Sequence, residues 1–447
     1  MTAIAGIQSL HGQTKVEEML GQMKHRGDDW CHIIEKNGAF LGSSGTKNQK
    51  KSARKIQNEQ VALEFISKNH YAAAKMAKGQ MELSRDSLGI SPLYYGRTTE
   101  GDLCFASEVK GLLAVTRDVH ELPPGYSLLG TKLKRNNRPS RSGRNDRSSD
   151  EIAQELRNKL ETVVSNRIDE GYAGSWLSGG IDSTAISAIA RPHLKEFHTF
   201  TAGLPGSQDV HYAKIASKHI GSIHHTRTVT VEEILQAIPE VIYHLESFDA
   251  LLIRSSILNF LVAKHAADFV PAVFSGEGAD ELFAGYDYLH EVPKSKLQDE
   301  LDDIISRLHN TALQRVDRTV SAHGMVAYVG LLDQDIVNLA HEIPAEFKIR
   351  DGVEKWILRK AVEDLLPEEL LMRKKAKFWQ GGGVKEIIAE YADKRISDHD
   401  FASERKLDNG ETLNSKEELL YYRHFREYFG EFDDLSWMGR TKGAPVS

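Results

Sequence analysis

Two short glycine-rich segments, each placed between an apolar strand-like run and a helical pattern, constrain the fold of this chain most strongly. The first, SGGIDS at residues 178–183, follows the run AGSWL and precedes TAISAIA. The second, SGEGADE at residues 275–281, follows AVF and precedes LFAGY. Strand-to-helix turns of this kind are typical of a parallel sheet flanked by helices, where the carboxyl ends of neighbouring strands face one crevice. We therefore predict an α/β fold in which both turns line one site.

The chemistry of the first turn favours phosphate binding. Gly179 and Gly180 allow backbone N–H groups to converge on an anion, and the following helix adds the partial positive charge of its N-terminus. The Lys-Ser/Thr pair of a Walker loop is missing, so pyrophosphate release is a more natural reaction here than transfer of a γ-phosphoryl group. Asp182 would repel bare phosphate, and a divalent cation between the two removes that repulsion. The alternative is an ordinary tight turn with Ser183 as the helix N-cap.

The composition argues against several classes of protein. The chain has 447 residues, of which 40% are hydrophobic, and a formal net charge of −7, which argues against a protein built around nucleic acid. No apolar run approaches the roughly 18 residues of a membrane span, so we expect no membrane partner. Because Cys31 and Cys104 are the only cysteines, we expect a cytoplasmic protein without a disulfide framework.

A change of composition at residues 131–150 divides the chain. This stretch contains seven Lys or Arg residues and almost no apolar ones, which predicts a solvated linker rather than a nucleic-acid-binding arm. Residues 1–130 carry short strand-like runs with Gly and Pro between them, which predicts a strand-rich domain. In residues 151–447 helical patterns alternate with apolar strands, and from about Gln298 the sequence is almost wholly helical.

Several long motifs, in the same order, carry a resemblance to a known family. SGGIDS, SGEGADELFAGY and LRKAVEDLLPEELLMRKKAKF resemble the synthetase domain of the asparagine synthetases, which belong to the ATP pyrophosphatase group. HRGDD, RDSLGISPLYYG and FASEVKGLL resemble the N-terminal part of the same family. The resemblance implies an adenine nucleotide alpha hydrolase-like parallel sheet with helices and a helical C-terminal region. It also implies a reduced, Ntn-like α+β sandwich before that sheet, and it suggests a homodimer.

The resemblance further implies a reaction that cleaves ATP to AMP and pyrophosphate. A carboxylate attacks the α-phosphorus, and ammonia or an organic amine then displaces AMP from the acyl-adenylate to form an amide. By position in the motifs, Asp182 and Asp280 would hold magnesium, and Glu277 would take a proton from the amine. Lys375 matches a family lysine that reaches the phosphates, and Arg254 is a further catalytic residue, retained on the acyl-substrate side. The positions expected to contact ATP are Leu177, Ser178, Gly179, Gly180, Asp182, Ser183, Ala202, Ser275 and Gly276.

The first domain departs from the family at its catalytic residue. Position 2 is Thr2, where the family has the cysteine that attacks glutamine. A terminal threonine can act as a nucleophile when its own amine is the base, so this change alone does not decide the matter. The region between Trp30 and Arg85 is shorter than in the family and lacks the stretches that orient glutamine. We therefore predict that the glutaminase activity is lost.

The acyl-substrate side also departs from the family. Leu251 and Leu252 stand where the family has two threonines. A site without partners for the charged ends of aspartate would bind aspartate poorly, so we predict a different carboxylate substrate. The alternative is that the altered residues pack behind the pocket. The other altered positions are Val326, Tyr328, Gly330, Ala376 and Gln380.

Three other functions remain open from the sequence. The first is an ammonia-dependent asparagine synthetase, and the second is an intramolecular cyclase similar to the β-lactam synthetases. Glu277 favours an intermolecular amine, because the β-lactam enzymes replace that glutamate. The third is a non-catalytic scaffold, against which the intact set Asp182, Asp280, Glu277 and Lys375 argues.

Overall fold

Antiparallel strands build the chain before residue 136, and parallel strands build most of the sheet structure after residue 172. The predicted α/β fold with a parallel sheet and many helices is confirmed. Within the described residues, no helix is both long enough and apolar enough to cross a membrane. The computed structural model describes residues 2–47, 61–67, 69–136, 147–168, 172–373 and 383–441.

The N-terminal part is a sandwich of two antiparallel sheets. Its described strands are β1 (Thr2–Ile7), β2 (Trp30–Lys36), β3 (Ala39–Gly45), β4 (Ala62–Ser67), β5 (His70–Ala77), β6 (Gln80–Arg85), β7 (Tyr94–Arg97), β8 (Leu103–Ala106), β9 (His120–Glu121), β10 (Tyr126–Leu129) and β11 (Lys132–Arg135). One sheet has the order β2-β3-β1-β8-β7-β9, and the other has the order β11-β10-β6-β5-β4. Apolar side chains that include Ile4, Leu83 and Phe105 fill the space between the sheets.

Two helices, α1 (Gln13–Gly21) and α2 (Val109–Leu112), cover the outer face of the first sheet. Val16 and Met19 of α1 belong to an apolar core that continues into the C-terminal part of the chain. The two parts are therefore joined by packing as well as by the polypeptide. Cys31 is exposed, Cys104 is buried, and both are free thiols.

The C-terminal part is built on a parallel sheet with the strand order β14-β13-β12-β15-β16. Its strands are β12 (Tyr172–Trp176), β13 (Glu196–Gly203), β14 (Ile223–Thr228), β15 (Ala272–Phe274) and β16 (Val326–Tyr328), and a short hairpin pairs β17 (Ile349–Arg350) with β18 (Val353–Glu354). Its first helices are α3 (Ser149–Ser165), α4 (Ile181–Ala190), α5 (Gln208–Ile220), α6 (Val231–Leu245), α7 (Ala250–Ala266), α8 (Ala279–Phe283), α9 (Lys294–Ser306) and α10 (Ala312–Ser321). The remaining described helices are α11 (Gln334–Glu342), α12 (Ala345–Lys348), α13 (Trp356–Ala361), α14 (Glu368–Leu371), α15 (Val384–Arg395), α16 (Asp398–Glu404) and α17 (Lys416–Phe429).

Two details of the predicted organisation need correction. Both ends of the linker predicted at residues 131–150 are structured, because β11 pairs with β10 and Ser148 caps α3 through a capping box with Glu151. An edge strand is held by backbone hydrogen bonds and tolerates lysine, so its composition resembles that of a linker. The described region after Gln298 is mostly helical, as predicted, but it also supplies β16, which extends the parallel sheet. Three residues are too few to show a strand periodicity.

A buried cluster of charges centred on Arg26 joins the two parts of the chain. Arg26 Nη2 lies 2.8 Å from Glu64 Oε1, and Nη1 lies 2.8 Å from Glu108 Oε1 and 2.9 Å from Asp317 Oδ2. Glu64 and Glu108 belong to the N-terminal part, whereas Asp317 lies on α10. Arg26 is fully buried, and such a charge is tolerated only because opposite charges surround it.

A second buried arginine extends this cluster from the other side. Arg318 of α10 places Nη1 2.6 Å from Glu108 Oε1 and Nη2 3.0 Å from Glu246 Oε2. Glu108 therefore accepts contacts from Arg26 in its own domain and from Arg318 in the other. The cluster fixes one side of α10 against the N-terminal sandwich.

We expect Arg26→Met to destabilise the protein by about 3–5 kcal/mol, because it removes the buried guanidinium that the carboxylates of Glu64, Glu108 and Asp317 share. Urea unfolding followed by far-ultraviolet circular dichroism measures this change. The matched control is Lys132→Met on the exposed strand β11, which should change the free energy of unfolding by no more than about 0.5 kcal/mol. A similar, small effect for both variants would contradict a stabilising role of the cluster.

Candidate active site

The first glycine-rich turn connects β12 to α4. Gly180 is the N-cap of α4, so the alternative in which Ser183 caps the helix is wrong. Ser183 lies in the first helical turn, where its hydroxyl accepts a hydrogen bond from the Ser178 N–H at 3.2 Å. Gly179 has φ 74°, and a Cβ there would lie 2.5 Å from the carbonyl carbon of Tyr212. Only glycine therefore fits this position.

The second glycine-rich turn connects β15 to α8 and touches the first. β12 and β15 are neighbouring parallel strands, paired through Gly174 with Val273 and Ser175 with Phe274. A Cβ on Gly276 would lie 2.7 Å from the carbonyl carbon of Asp182. The prediction that both turns meet at one site is confirmed.

The two turns open into a cavity of about 820 Å³. Its volume is in the range of known small-molecule sites. Two predicted positions in the described part of the chain, Gly179 and Arg254, are not among its lining residues. Lys375, Ala376 and Gln380 lie outside the described residues. The predicted residues that line the cavity are Leu177, Ser178, Gly180, Asp182, Ser183, Ala202, Ser275, Gly276, Glu277 and Asp280.

Arg254 is directed away from the cavity. Its Nε donates a hydrogen bond to Glu417 Oε1 on α17 at 3.1 Å, and its Nη2 pairs with Oε2 of the same carboxylate. Tyr421 donates a further hydrogen bond to Glu417 at 2.9 Å. The next residue, Ser255, does line the cavity, because consecutive helical residues point about 100° apart. The structure therefore does not bring the predicted catalytic Arg254 to the other site residues.

The sequence analysis missed Lys355, which lies between the two predicted metal ligands. Its Nζ lies 2.7 and 2.6 Å from the two carboxylate oxygens of Asp182 and 2.7 Å from Asp280 Oδ1. Burial lowers the pKa of Lys355, but the two carboxylates raise it further, so its net pKa shift is upward. Asp182 and Asp280 thus converge on one cation position, and oxygen donors of this kind fit magnesium.

Glu277 has a cationic partner that the sequence analysis also missed. Arg315 of α10 places Nη2 2.8 Å from Glu277 Oε1 and donates from Nη1 to Ser255 Oγ at 3.1 Å. The side chains of Arg315 and Glu277 are 19% and 21% exposed, so both reach the cavity. Arg315 therefore orients a carboxylate that remains accessible to a substrate.

Glu281 is a carboxyl group of altered acidity in the cavity wall. Burial raises the pKa of Glu281 to about 7, and the neighbouring Asp280 contributes to this rise. Tyr286 donates a hydrogen bond to Glu281 at 2.5 Å. Near neutral pH this carboxyl is partly protonated, which reduces the negative charge of the cavity.

Arg373 adds a positive charge beside the first turn. Its Nη1 donates to the carbonyl oxygen of Ser178 at 2.7 Å, and its Nη2 lies 2.5 Å from Asp209 Oδ1. Arg373 also lines the cavity. It supplies a cation beside this turn, which lacks the lysine of a Walker loop.

One face of α7 runs along the cavity, because its lining residues recur every three or four positions. These residues are Leu251, Leu252, Ser255, Asn259 and Val262. At about 1.5 Å per residue, this face spans roughly 16 Å. The cavity therefore extends along about three turns of α7.

The altered positions divide between the cavity and the sheet behind it. Leu251 and Leu252 line the cavity, as the specificity argument requires. Val326 and Tyr328 lie on β16 and are not among the lining residues in the described structure. The Tyr328 carbonyl accepts a hydrogen bond from the Ser275 N–H at 3.0 Å. For these two positions, the alternative of packing behind the pocket fits better.

Thr2 is buried in the centre of the first sheet. It is 2% exposed, and its carbonyl oxygen accepts a hydrogen bond from Arg26 Nε at 3.1 Å. Strand β1 lies between β3 and β8. Thr2, which the family resemblance places at the nucleophile position, therefore lies in a tightly packed strand next to the Arg26 cluster.

Comparisons with known proteins identify the family that the chain resembles. The asparagine synthase family model matches residues 155–303 and 293–442, and a glutamine amidotransferase domain model matches residues 70–126. The glutamine-hydrolyzing asparagine synthetase B of Escherichia coli (strain K12) is 35% identical over 371 residues, which cover 78% of this chain and 67% of the relative. The glutamine-hydrolyzing asparagine synthetase of Asparagus officinalis is 33% identical over 93% of this chain and 83% of its own length.

Other matches are less complete. The glutamine-hydrolyzing asparagine synthetase 2 of Arabidopsis thaliana is 34% identical over 77% of this chain, and the match spans 64% of the relative's length. Among solved structures, the NMN synthetase from Francisella tularensis overlaps with a TM-score of 0.30 and 14% identity, over 64% of this chain and 94% of the other. An overlap this low carries no argument about fold or activity. On the family matches and the sequence identities, the chain belongs to the asparagine synthetase family.

Proposed function

We propose that this protein is an ATP-dependent amide synthetase that forms AMP and pyrophosphate and acts on a carboxylate other than aspartate. The acyl group is transferred to ammonia or an organic amine, without glutaminase activity. The observation that carries the proposal is the meeting of two glycine-rich turns, with Asp182 and Asp280 converging on one point and Glu277 facing the same cavity.

The first turn is suited to hold the phosphates of ATP. The N-terminus of α4, a helix of ten residues, lies at the cavity, and the first N–H groups of a helix have no partner within the helix itself. Asp182 and Asp280 would hold magnesium, which neutralises the charge that develops on departing pyrophosphate. Ala202 and Leu177 line the cavity at the ends of neighbouring strands, where an adenosine group would lie.

Two steps account for the proposed reaction. An oxygen of the substrate carboxylate attacks the α-phosphorus of ATP, and the bond to pyrophosphate breaks. The amine nitrogen then attacks the carbonyl carbon of the acyl-adenylate, its proton passes to Glu277, and AMP leaves with the bonding electrons. Arg315 holds the Glu277 carboxylate toward the cavity, as a base in hydrogen-bond reach of the amine requires.

Apolar side chains in the cavity wall support a substrate less charged than aspartate. They include Leu251 and Leu252 of α7, Leu308 and Ala312. Arg254, which the family resemblance places on the acyl-substrate side, forms an ion pair with Glu417 instead. An apolar wall leaves the charges of a small amino acid without partners, which penalises its binding.

Two observations favour a second candidate, an ammonia-dependent asparagine synthetase. The relatives are named for asparagine synthesis, and they are 33–35% identical to this chain. Arg307 and Arg315 also line the cavity and offer positive charge. Burial of Thr2 supports the loss of glutamine hydrolysis in either case, because a nucleophile must be reached by its substrate. A homodimer remains a proposal from the family resemblance.

We expect the purified protein to release pyrophosphate from ATP and magnesium when supplied with a carboxylic acid other than aspartate and with ammonia or an amine. A coupled pyrophosphate assay across a panel of acids measures this, with glutamine as a separate nitrogen donor. Asp182→Asn should lower pyrophosphate release by roughly a hundredfold or more. The variant loses a carboxylate that would hold the magnesium, and this metal would neutralise the charge on the departing pyrophosphate. Asp351→Asn, whose side chain is 90% exposed, is the matched control. Release with aspartate and ammonia alone would favour the second candidate.

We expect Glu277→Gln to separate the two steps. Amide formation should fall roughly 10²–10⁴-fold because the amine loses its base, while acid-dependent exchange of labelled pyrophosphate into ATP should continue. Product analysis by mass spectrometry and the exchange assay measure the two reactions. Glu291→Gln, at an exposed position, should leave both unchanged. Equal loss of both reactions in the Glu277 variant would contradict its role as the amine's base.

A further inference from the structure

The ammonium group of Lys355 is held in place by its backbone and by its surroundings. Lys355 adopts the left-handed conformation with φ 54° and is 2% exposed. Its N–H donates to the Phe283 carbonyl at 3.2 Å, and its carbonyl accepts from the Arg359 N–H at 3.0 Å. A non-glycine residue rarely adopts this backbone conformation unless the surrounding structure fixes it.

The neighbouring chain is shaped around this lysine. A Cβ on Gly285 would lie 2.0 Å from Lys355 Cε and 2.0 Å from Asp280 Oδ1. Glycine at this position therefore leaves room for both the lysine stem and the carboxylate. The surrounding residues therefore fix the position of the Lys355 ammonium group, unlike that of a mobile surface lysine.

The two carboxylates at this position already share a cation. Three of their oxygens lie 2.6–2.7 Å from Lys355 Nζ, so a metal ion at the same point would compete with the ammonium group. Within the described residues, no group of three or more His, Cys, Asp and Glu side chains is arranged to hold a metal ion. Magnesium is commonly bound by one or two carboxylates together with substrate phosphates.

We propose that Lys355 is the resident cation of the nucleotide-free enzyme, which keeps free divalent metal ions away from Asp182 and Asp280 until ATP brings phosphate oxygens. This inference rests on the proposed function in so far as ATP binds here. When the triphosphate enters, its oxygens accept hydrogen bonds from Lys355, and the two carboxylates become available to the metal. Metal and nucleotide therefore bind together and not in sequence.

Binding of Mn²⁺, measured by electron paramagnetic resonance, tests this inference without any turnover. Mn²⁺ serves as a probe for magnesium, and α,β-methylene-ATP serves as a nucleotide that cannot lose pyrophosphate. We expect wild type to bind Mn²⁺ weakly alone and strongly with the analogue. Lys355→Met should bind Mn²⁺ alone at least about tenfold more tightly than wild type, because two nearby carboxylates lose their cation.

Two variants serve as controls. Lys360 lies in helix α13, which Lys355 immediately precedes, and it is paired with Asp150; Lys360→Met should behave as wild type. The double variant Lys355→Met/Asp280→Asn should lose the added affinity for Mn²⁺. Circular dichroism establishes that each variant is folded.

Tight binding of Mn²⁺ by wild type without nucleotide would overturn the inference, and this result needs no variant. A folded Lys355→Met protein with unchanged Mn²⁺ affinity would also overturn it. A separate calorimetric titration of wild type with the analogue tests the proposed function. Absence of analogue binding in that titration would contradict the proposed function. In that case the role of Lys355 in excluding free metal would still be decided by the nucleotide-free Mn²⁺ measurements.

Discussion

Parallel pairing of β12 with β15 is the constraint on which the candidate site depends. It brings two acidic strand-to-helix turns to the same edge of the sheet, close enough that Gly276 contacts the backbone of Asp182. Carboxylates forced together repel each other unless a cation lies between them. Lys355 supplies that cation in the structure. The prepared position of Lys355 and the proposed metal site thus follow from the same packing requirement.

The helix α10 connects this site to the N-terminal sandwich, because charged residues on its two sides contact different parts of the protein. Asp317 and Arg318 contact Arg26 and Glu108 in the buried cluster, whereas Arg315 faces the cavity and holds Glu277. The sandwich therefore supports the synthetase part even if its glutaminase chemistry is lost. This gives Arg26 of the HRGDD segment a physical role that does not depend on glutamine hydrolysis.

The sequence predicted the features that depend on local chain geometry. The glycine-rich turns follow from residue types within one segment, and their meeting follows from the rule for parallel strands. Lys355 and Arg315 could not be found in this way, because their partners Asp182 and Glu277 lie 173 and 38 positions away in the chain. Arg254 was predicted to face the site, but its direction depends on how α7 is rotated against α17. The predicted role of Lys375 and the predicted homodimer remain predictions.

The central claim is that the enzyme activates a carboxylate by joining it to AMP. The most direct test uses an acid that supports pyrophosphate release, labelled with ¹⁸O in both carboxyl oxygens, followed by mass spectrometry of the nucleotide product. Attack of the carboxylate on the α-phosphorus predicts that one labelled oxygen appears in AMP when the amide forms. Formation of ADP and labelled inorganic phosphate, or AMP without label, would contradict the account.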